Sequence, residues 1–282
     1  MAGPSNLMAA AMVNHLMRGS AGAYTLTGPW KVKLWTTSPD YDAGTGGTQL
    51  TGTGYTAGGA SITMALASWN AAVDGSPYGK MVSNIYVPTW TATANDWSAP
   101  IVGASLQNAS DAIMWGKALD NSRTVGNGDT FRFSAAALKL ALDQAADAGI
   151  SDFWKAKILD HFCCTDRSYA APATAYMAAF TTAPNHQSGV GGTECAAGDY
   201  ARKAITMNAA WDTADAAGNV DNTAEIAFSA ASSSWGTIVA AGLVSTASGA
   251  FDYFAGNTHT GVAIGNGDTY KIAAGDFDVS VA

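Results

Sequence analysis

Charge is what this sequence has least of. Lys, Arg, Asp and Glu make up 13% of its 282 residues, roughly half the share usual in globular domains. Fourteen basic residues face 22 acidic ones, a net charge of −8. That balance excludes a nucleic-acid binder, which needs a basic stripe to displace counterions. Cysteine is scarce too: there are three, an odd number with Cys163 and Cys164 adjacent, so no disulfide framework is implied. Synthesis in a reducing cytoplasm is the simpler expectation. No apolar run reaches the length of a membrane span, and no membrane partner is expected. Met8 to Met17 is apolar and Ala21-Gly22-Ala23 resembles a signal-peptidase site. The segment before it lacks Lys and Arg, however, and Asn14 and His15 interrupt the run. Because the same element recurs at 151–162 in mid-chain, it reads as a structural helix.

In place of charge the chain has Ala, Thr, Ser and 31 Gly, with 48% hydrophobic residues including nine Trp. Short strands with neutral outer faces suit this composition, and neutral faces can be covered by neighbours without desolvating charge. One string organises the rest. Gly126-Asn127-Gly128-Asp129-Thr130 returns as Gly265-Asn266-Gly267-Asp268-Thr269. Each copy has an apolar residue before it (Val125, Ile264) and an aromatic, a basic and an apolar residue after it. Asn-Gly between apolar runs predicts a hairpin with a primed turn. Both sets, Gly126, Asn127, Gly128, Asp129 and Gly265, Asn266, Gly267, Asp268, are therefore expected structural hairpin turns.

Further pairs keep the same order along the chain, and order is what identifies a repeat. Ser5 to Leu16 matches Ser151 to Phe162, Trp35-Thr36-Thr37 matches Phe180-Thr181-Thr182, and Ile62-Thr63-Met64 matches Ile205-Thr206-Met207. Trp97 with Ile101 to Leu106 matches Trp235 with Ile238 to Leu243. The expected division is two copies of one domain, 1–143 and 144–282, joined by a polar connection from Asp143 to Gly149.

Each copy opens on a helix capped by Ser5 or Ser151. Leu7, Met8, Ala11, Met12, His15 and Leu16 share one face of the first; Trp154, Ile158 and Phe162 mark the second. Trp30, Val32 and Leu34 alternate with Lys31 and Lys33, and Ala60, Ile62, Met64 and Leu66 alternate with smaller or polar residues, as half-buried strands do. Two long Gly/Thr-rich loops follow, Asp40 to Gly59 and Asn185 to Gly198. The first copy is expected to carry an insertion near Thr89 to Ala94. One helix and seven or eight short strands per copy predict a mainly β chain of two tandem β-sandwich, jelly-roll-like domains, each preceded by a short amphipathic helix.

Catalytic motifs are missing: there is no nucleophile elbow, P-loop or His-Glu-x-x-His helix. His15 and His161 hold equivalent helix positions and read as packing residues, while His186 and His259 stand in polar loops with no ligand at metal spacing. Asp129 and Asp268 could be calcium ligands, but such repeats work in tandem arrays, so the turn reading is preferred. Asp212, Asp215 and Asp221 could be paired carboxylates; clustered Asp in a Gly/Asn-rich loop is more often solvated. Trp90, Trp97, Trp115, Trp211 and Trp235 could form a sugar-stacking platform, but they sit in patterns both copies share, which favours core. The expectation is no enzyme, no cofactor and no metal.

Taken in order, the amphipathic helix, Trp-or-Phe-Thr-Thr-x-Pro, Gly54-Tyr55 or Asp199-Tyr200, Ser234-Trp235-Gly236-Thr237-Ile238 and Gly-Asn-Gly-Asp-Thr resemble small tailed-bacteriophage virion proteins commonly labelled tail-fibre-like. The first copy is less regular, with Asp96-Trp97-Ser98-Ala99-Pro100-Ile101. Family members are about half this length, so the resemblance implies a duplicated virion structural protein without catalysis. Within the virion the expected role is capsid decoration or cement, binding the major capsid protein on the outer surface of the head as a homo-oligomer such as a trimer. The alternative is a tail fibre or a tail-tip adhesin or carbohydrate-binding module.

Overall fold

The computed structural model describes residues 3–18, 29–75, 78–97, 99–142, 148–163, 169–215 and 218–281. The Ala21-Gly22-Ala23 run, Ser98, Cys164 and residues 143–147 of the expected connection lie outside them. The chain is mainly β, with two helices and two similar sheet-rich halves. The first half runs β1 (Gly3–Pro4), α1 (Asn6–Arg18), β2 (Trp30–Thr37), β3 (Thr48–Gln49), β4 (Ala60–Ile62), β5 (Val73–Gly75), β6 (Tyr78–Ser83), β7 (Thr89–Thr91), β8 (Ile101–Gln107), β9 (Ile113–Arg123), β10 (Thr130–Arg132) and β11 (Lys139–Leu142). The second runs β12 (Ala148–Ile150), α2 (Asp152–Cys163), β13 (Thr174–Thr182), β14 (Thr193–Glu194), β15 (Lys203–Thr206), β16 (Asn219–Asp221), β17 (Ile226–Ala227), β18 (Gly236–Val244), β19 (Tyr253–Ile264), β20 (Lys271–Ile272) and β21 (Asp278–Ser280). By contact the chain forms two compact units. Unit 1 holds 1–9, 25–143 and 159–169; unit 2 holds 10–24, 144–158 and 170–282.

The main sheets correspond strand for strand. One has the order β1-β9-β8-β2-β3 with β4 beside β2, and the other β12-β19-β18-β13-β14 with β15 beside β13. Two smaller sheets accompany each: β10-β7 and β11-β6-β5 in unit 1, β17-β20 and β16-β21 in unit 2. Among the described residues β5 has no counterpart, so part of the first repeat's extra length sits at β5 and β6. The expected insertion at Thr89 to Ala94 is corrected, because Thr89–Thr91 pairs with β10 as Ile226–Ala227 pairs with β20.

Both helices start as expected. The Ser5 hydroxyl accepts the Met8 N–H at 3.3 Å and donates to the Ile113 carbonyl at 2.7 Å. Ser151 does the same with Trp154 and Tyr253. Each cap therefore also fastens its helix to a strand of the main sheet. The buried stripe of α1 is Met8, Ala9, Met12, Val13, Leu16 and Met17. Leu7, expected on that stripe, is half exposed, because at 3.6 residues per turn it falls on the far side of a stripe centred between Met8 and Ala9.

Strand β2 is buried more fully than its alternation predicts. Lys33 is covered, and its ammonium reaches Asp111 at 2.9 Å, where Lys31 also arrives at 3.3 Å. Hydrogen bonds from Lys33 and Lys31 hold the Asp111 carboxyl below its usual range. The β4 alternation ends at Ile62, and the chain turns before Leu66.

The Gly-Asn-Gly-Asp strings form turns, with Asp129 and Asp268 amides bonding to the Gly126 and Gly265 carbonyls at 2.9 and 3.2 Å. They are not hairpins. Strand β9 before the turn pairs with β8, whereas β10 after it pairs with β7; unit 2 repeats this with β19 and β20. Nor are the turns primed, since Gly128 (φ +86°) and Gly267 (φ +89°) are left-handed but Asn127 and Asn266 are not. A primed turn twists paired strands together, and these strands part company. The Asp129 and Asp268 carboxylates are occupied by the Gly126 and Gly265 N–H groups.

One packing device differs between the halves. The main sheet carries small residues that an aromatic ring covers. In unit 1 the ring is Tyr41, so close that a Cβ on Gly103 or Gly116 would lie 2.0 Å from it. In unit 2 Tyr41 is replaced by His186, and the ring over Gly242 and Gly256 is Tyr253, which stands where unit 1 has Ile113. His186, expected in a polar loop, is buried, with its ring nitrogens 2.6 Å from the Tyr253 hydroxyl and 2.8 Å from Thr258 Oγ1.

Candidate functional site

A buried asparagine organises the corresponding end of each unit. Asn84 donates through Nδ2 to the carbonyls of Tyr86 (2.7 Å) and Ser134 (3.2 Å), and its Oδ1 accepts the Leu138 N–H at 2.8 Å. Asn222 repeats the pattern on Ala224, Ala273 and Phe277 at 2.8, 2.8 and 2.9 Å. Neither is exposed. Each pins the chain where it leaves a small sheet, and each stands opposite a buried Trp, Trp69 or Trp211. Sequence reading missed both asparagines, although Val82-Ser83-Asn84 and Val220-Asp221-Asn222 share a Val-x-Asn signature at equivalent positions.

Above these clamps the two units present different surfaces. In unit 1 the Ser68 carbonyl accepts the N–H groups of Ile85 and Tyr86. This brings together a face on which Leu66, Ile85 and Tyr86 are 49%, 41% and 45% exposed. Large apolar side chains left this open mark a contact surface more often than chance. In unit 2 the equivalents of Ile85 and Tyr86 are Thr223 and Ala224, and the turn before Trp211 carries Ala209. A shallow groove of about 260 Å³ results, with Ala209, Ala210, Thr223, Ala224 and Ile226 along it and the charged Lys203 and Glu225 also on its wall. One framework thus offers an apolar knob in one repeat and a small-residue groove in the other.

The catalytic and ligand candidates are otherwise employed. Asp212 accepts the Asp221 N–H and Asp215 accepts the Asn219 N–H, both at 2.9 Å. Asp221 does form a carboxyl pair, with Asp278 facing it across β16 and β21. Protonated Asp221 donates a hydrogen bond to the Asp278 carboxylate, and this bond, then burial, pushes the Asp221 carboxyl up to about 6. Because the folded value exceeds the unfolded one, this pair contributes stability below the ordinary Asp value and loses it as pH rises through about 6. Asp199 and Asp111 are shifted down instead, so the stability they contribute is fully present above the ordinary Asp value and is lost only as pH falls below it. The melting temperature of unit 2 is therefore expected to fall as pH is raised from 4 to 7 in a calorimetric series, and Asp278→Asn should flatten that slope.

The five tryptophans proposed as a platform are all buried. Trp97 and Trp235 instead form edge-to-face pairs with Tyr55 and Tyr200, at 5.9 and 5.3 Å. Those tyrosines receive the Leu34 and Ala179 amides on their hydroxyls. In unit 2 the network extends: Glu194 takes a forked pair of bonds from Arg202 at 2.7 and 2.8 Å. Arg202 also donates to the Thr246 and Gly249 carbonyls and lies over the Phe251 ring. Its counterpart in unit 1 is Ala57. His259 stacks on Tyr270, and its Nε2 is 2.6 Å from the tyrosine hydroxyl. Among the described residues no group of three His, Cys, Asp or Glu is placed to hold a metal ion, and no helix is long and apolar enough to cross a membrane.

A family model described as podophage GP4 fiber I protein gp80 matches residues 3–141 and again 149–280. No curated protein and no solved structure matches the chain. The two matched segments cover nearly the whole sequence and coincide with the two sheet-rich halves. The chain therefore belongs to the podophage fiber I gp80 family as a tandem pair of its unit, and it is a structural protein of a phage virion that associates with other virion proteins.

Proposed function

We propose that the chain is a component of the tail-fibre apparatus, seated among its neighbours by the Leu66, Ile85 and Tyr86 knob of unit 1 and the Ala209 to Ile226 groove of unit 2. The observation that carries this reading is the divergence of one face on a retained frame. Identical contacts would keep both faces alike; unlike faces serve two unlike neighbours. The fibre assignment is supported by the description of the family. Capsid decoration is the second reading, favoured by the doubling itself. One chain with two unlike faces suits the quasi-equivalent seams between major capsid subunits.

Immunogold labelling of intact particles tests the two. Label at the tail supports the fibre reading, label over the head replaces it with decoration, and unlabelled particles remove both. The face is tested separately. Leu66→Asp with Tyr86→Asp is expected to reduce incorporation into particles at least about tenfold, since burying two such side chains is worth more than about 1.4 kcal/mol. Both side chains are half exposed, so the melting temperature should stay near wild type. Full incorporation of the variant would exclude this face.

A further inference from the structure

We propose that the two repeats complete each other by trading helix ends, and that the receiving turn in each is built for the helix of a second copy of the repeat. The composition of the units points to this. Helix α1 begins in unit 1, but its residues from Ala10 onward belong to unit 2; α2 begins in unit 2, but its residues from Leu159 onward belong to unit 1. Within unit 2 the Ala214 N–H donates to Asn14 Oδ1 at 3.0 Å. Within unit 1 the Ala72 N–H donates to Asp160 Oδ1 at 2.9 Å.

These are one contact made twice. Asn14 and Asp160 are both the ninth residue of their helices. Ala72 and Ala214 both stand three residues after the Trp that bridges to the buried asparagine, Trp69 or Trp211. The acceptor has changed between amide and carboxylate while the contact has been kept. Each acceptor satisfies a backbone N–H that no strand partner takes, and an orphaned N–H is costly. Arg18 adds a bond from its guanidinium to the Thr213 hydroxyl in unit 2. The apolar residues of the transferred segments, Leu16 and Met17 in one and Leu159 and Phe162 in the other, are fully buried. A helix serving its own repeat would bring Asn14 to Ala72 and Asp160 to Ala214; the observed partners are crossed. The tandem chain is thus a covalently joined pair, and a single copy presents a helix end and a vacant receiving turn that only another copy fills. This inference does not depend on where in the virion the chain resides.

Hydrogen exchange on the intact chain tests the crossing. Asn14→Ala is expected to speed exchange at the Ala214 amide about five- to tenfold, the loss of one hydrogen bond, and to leave Ala72 protected. Asp160→Ala should do the reverse. Loss of protection in the same repeat as the substitution, or at neither amide, overturns the proposal. A second measurement places a specific protease site within 143–147 of the otherwise intact protein. After cleavage the two fragments should co-elute at the size of the uncut chain in native buffer and part only in denaturant. Separation at micromolar concentration without denaturant also overturns it.

Discussion

Asn222→Ala is expected to cost unit 2 about 4 kcal/mol, read as a shift of its urea midpoint. The Ala224 carbonyl and the Phe277 N–H lose their described partner at once, and the Ala273 carbonyl is left with the Asp276 N–H alone. A buried polar group left without a partner costs about 1–3 kcal/mol, and the vacated volume adds to this. Asn84→Ala should do the same in unit 1, where the partners are Tyr86, Ser134 and Leu138. Asn222→Asp is the informative companion. It keeps the acceptor for Phe277 but removes both donors and sets a carboxylate against two carbonyl oxygens, so it should be no milder than Ala. A loss below about 1 kcal/mol for both Ala variants would mean that water replaces the side chain and that the clamp is not what holds this end of the unit.

Arg202→Ala is the second large expected effect, about 3 kcal/mol, and it should be confined to unit 2. The guanidinium is buried, forks onto both oxygens of Glu194, and ties down the Thr246 and Gly249 carbonyls. Removing one partner of a buried pair leaves the other charge uncompensated, which costs about 3–5 kcal/mol; partial exposure of Glu194 brings the figure to the low end. Arg202→Lys should recover less than half, because a point charge cannot reproduce the planar fork or lie over the Phe251 ring. Hydrogen exchange should locate the damage at residues 245–252. Wild-type protection there in the Ala variant would show that the loop is held by other contacts.

Much of this architecture was legible in the residues, and the reason differs from feature to feature. The duplication was readable because the ordered Trp, Gly and Pro positions are packing and turn constraints that divergence cannot move. The caps Ser5 and Ser151 were readable because capping is local. The hairpins were misread because Asn-Gly announces a turn but not the partner of the strand that follows; β10 and β20 find theirs on β7 and β17, about forty residues away in sequence. His186 does lie in a loop, in the turn after Asn185, but its burial is not legible because its hydroxyl partners, Tyr253 and Thr258, are remote along the chain. Asn84 and Asn222 carried a repeated signal that was simply short. The knob was hidden by its own pattern: Leu66 continues the alternation of β4, so only the turn after Ile62 reveals that it faces outward.

The covered glycines have a consequence for the gene. In one half the ring over the saddle comes from position 41 opposite Ile113; in the other it comes from position 253 opposite His186. A recombinant joining Tyr41 to Tyr253 would force two rings into one space, and one joining His186 to Ile113 would leave a hole. Exchange of sequence between the two halves is therefore expected to yield a poorly packed product, so the two copies can diverge without being evened out.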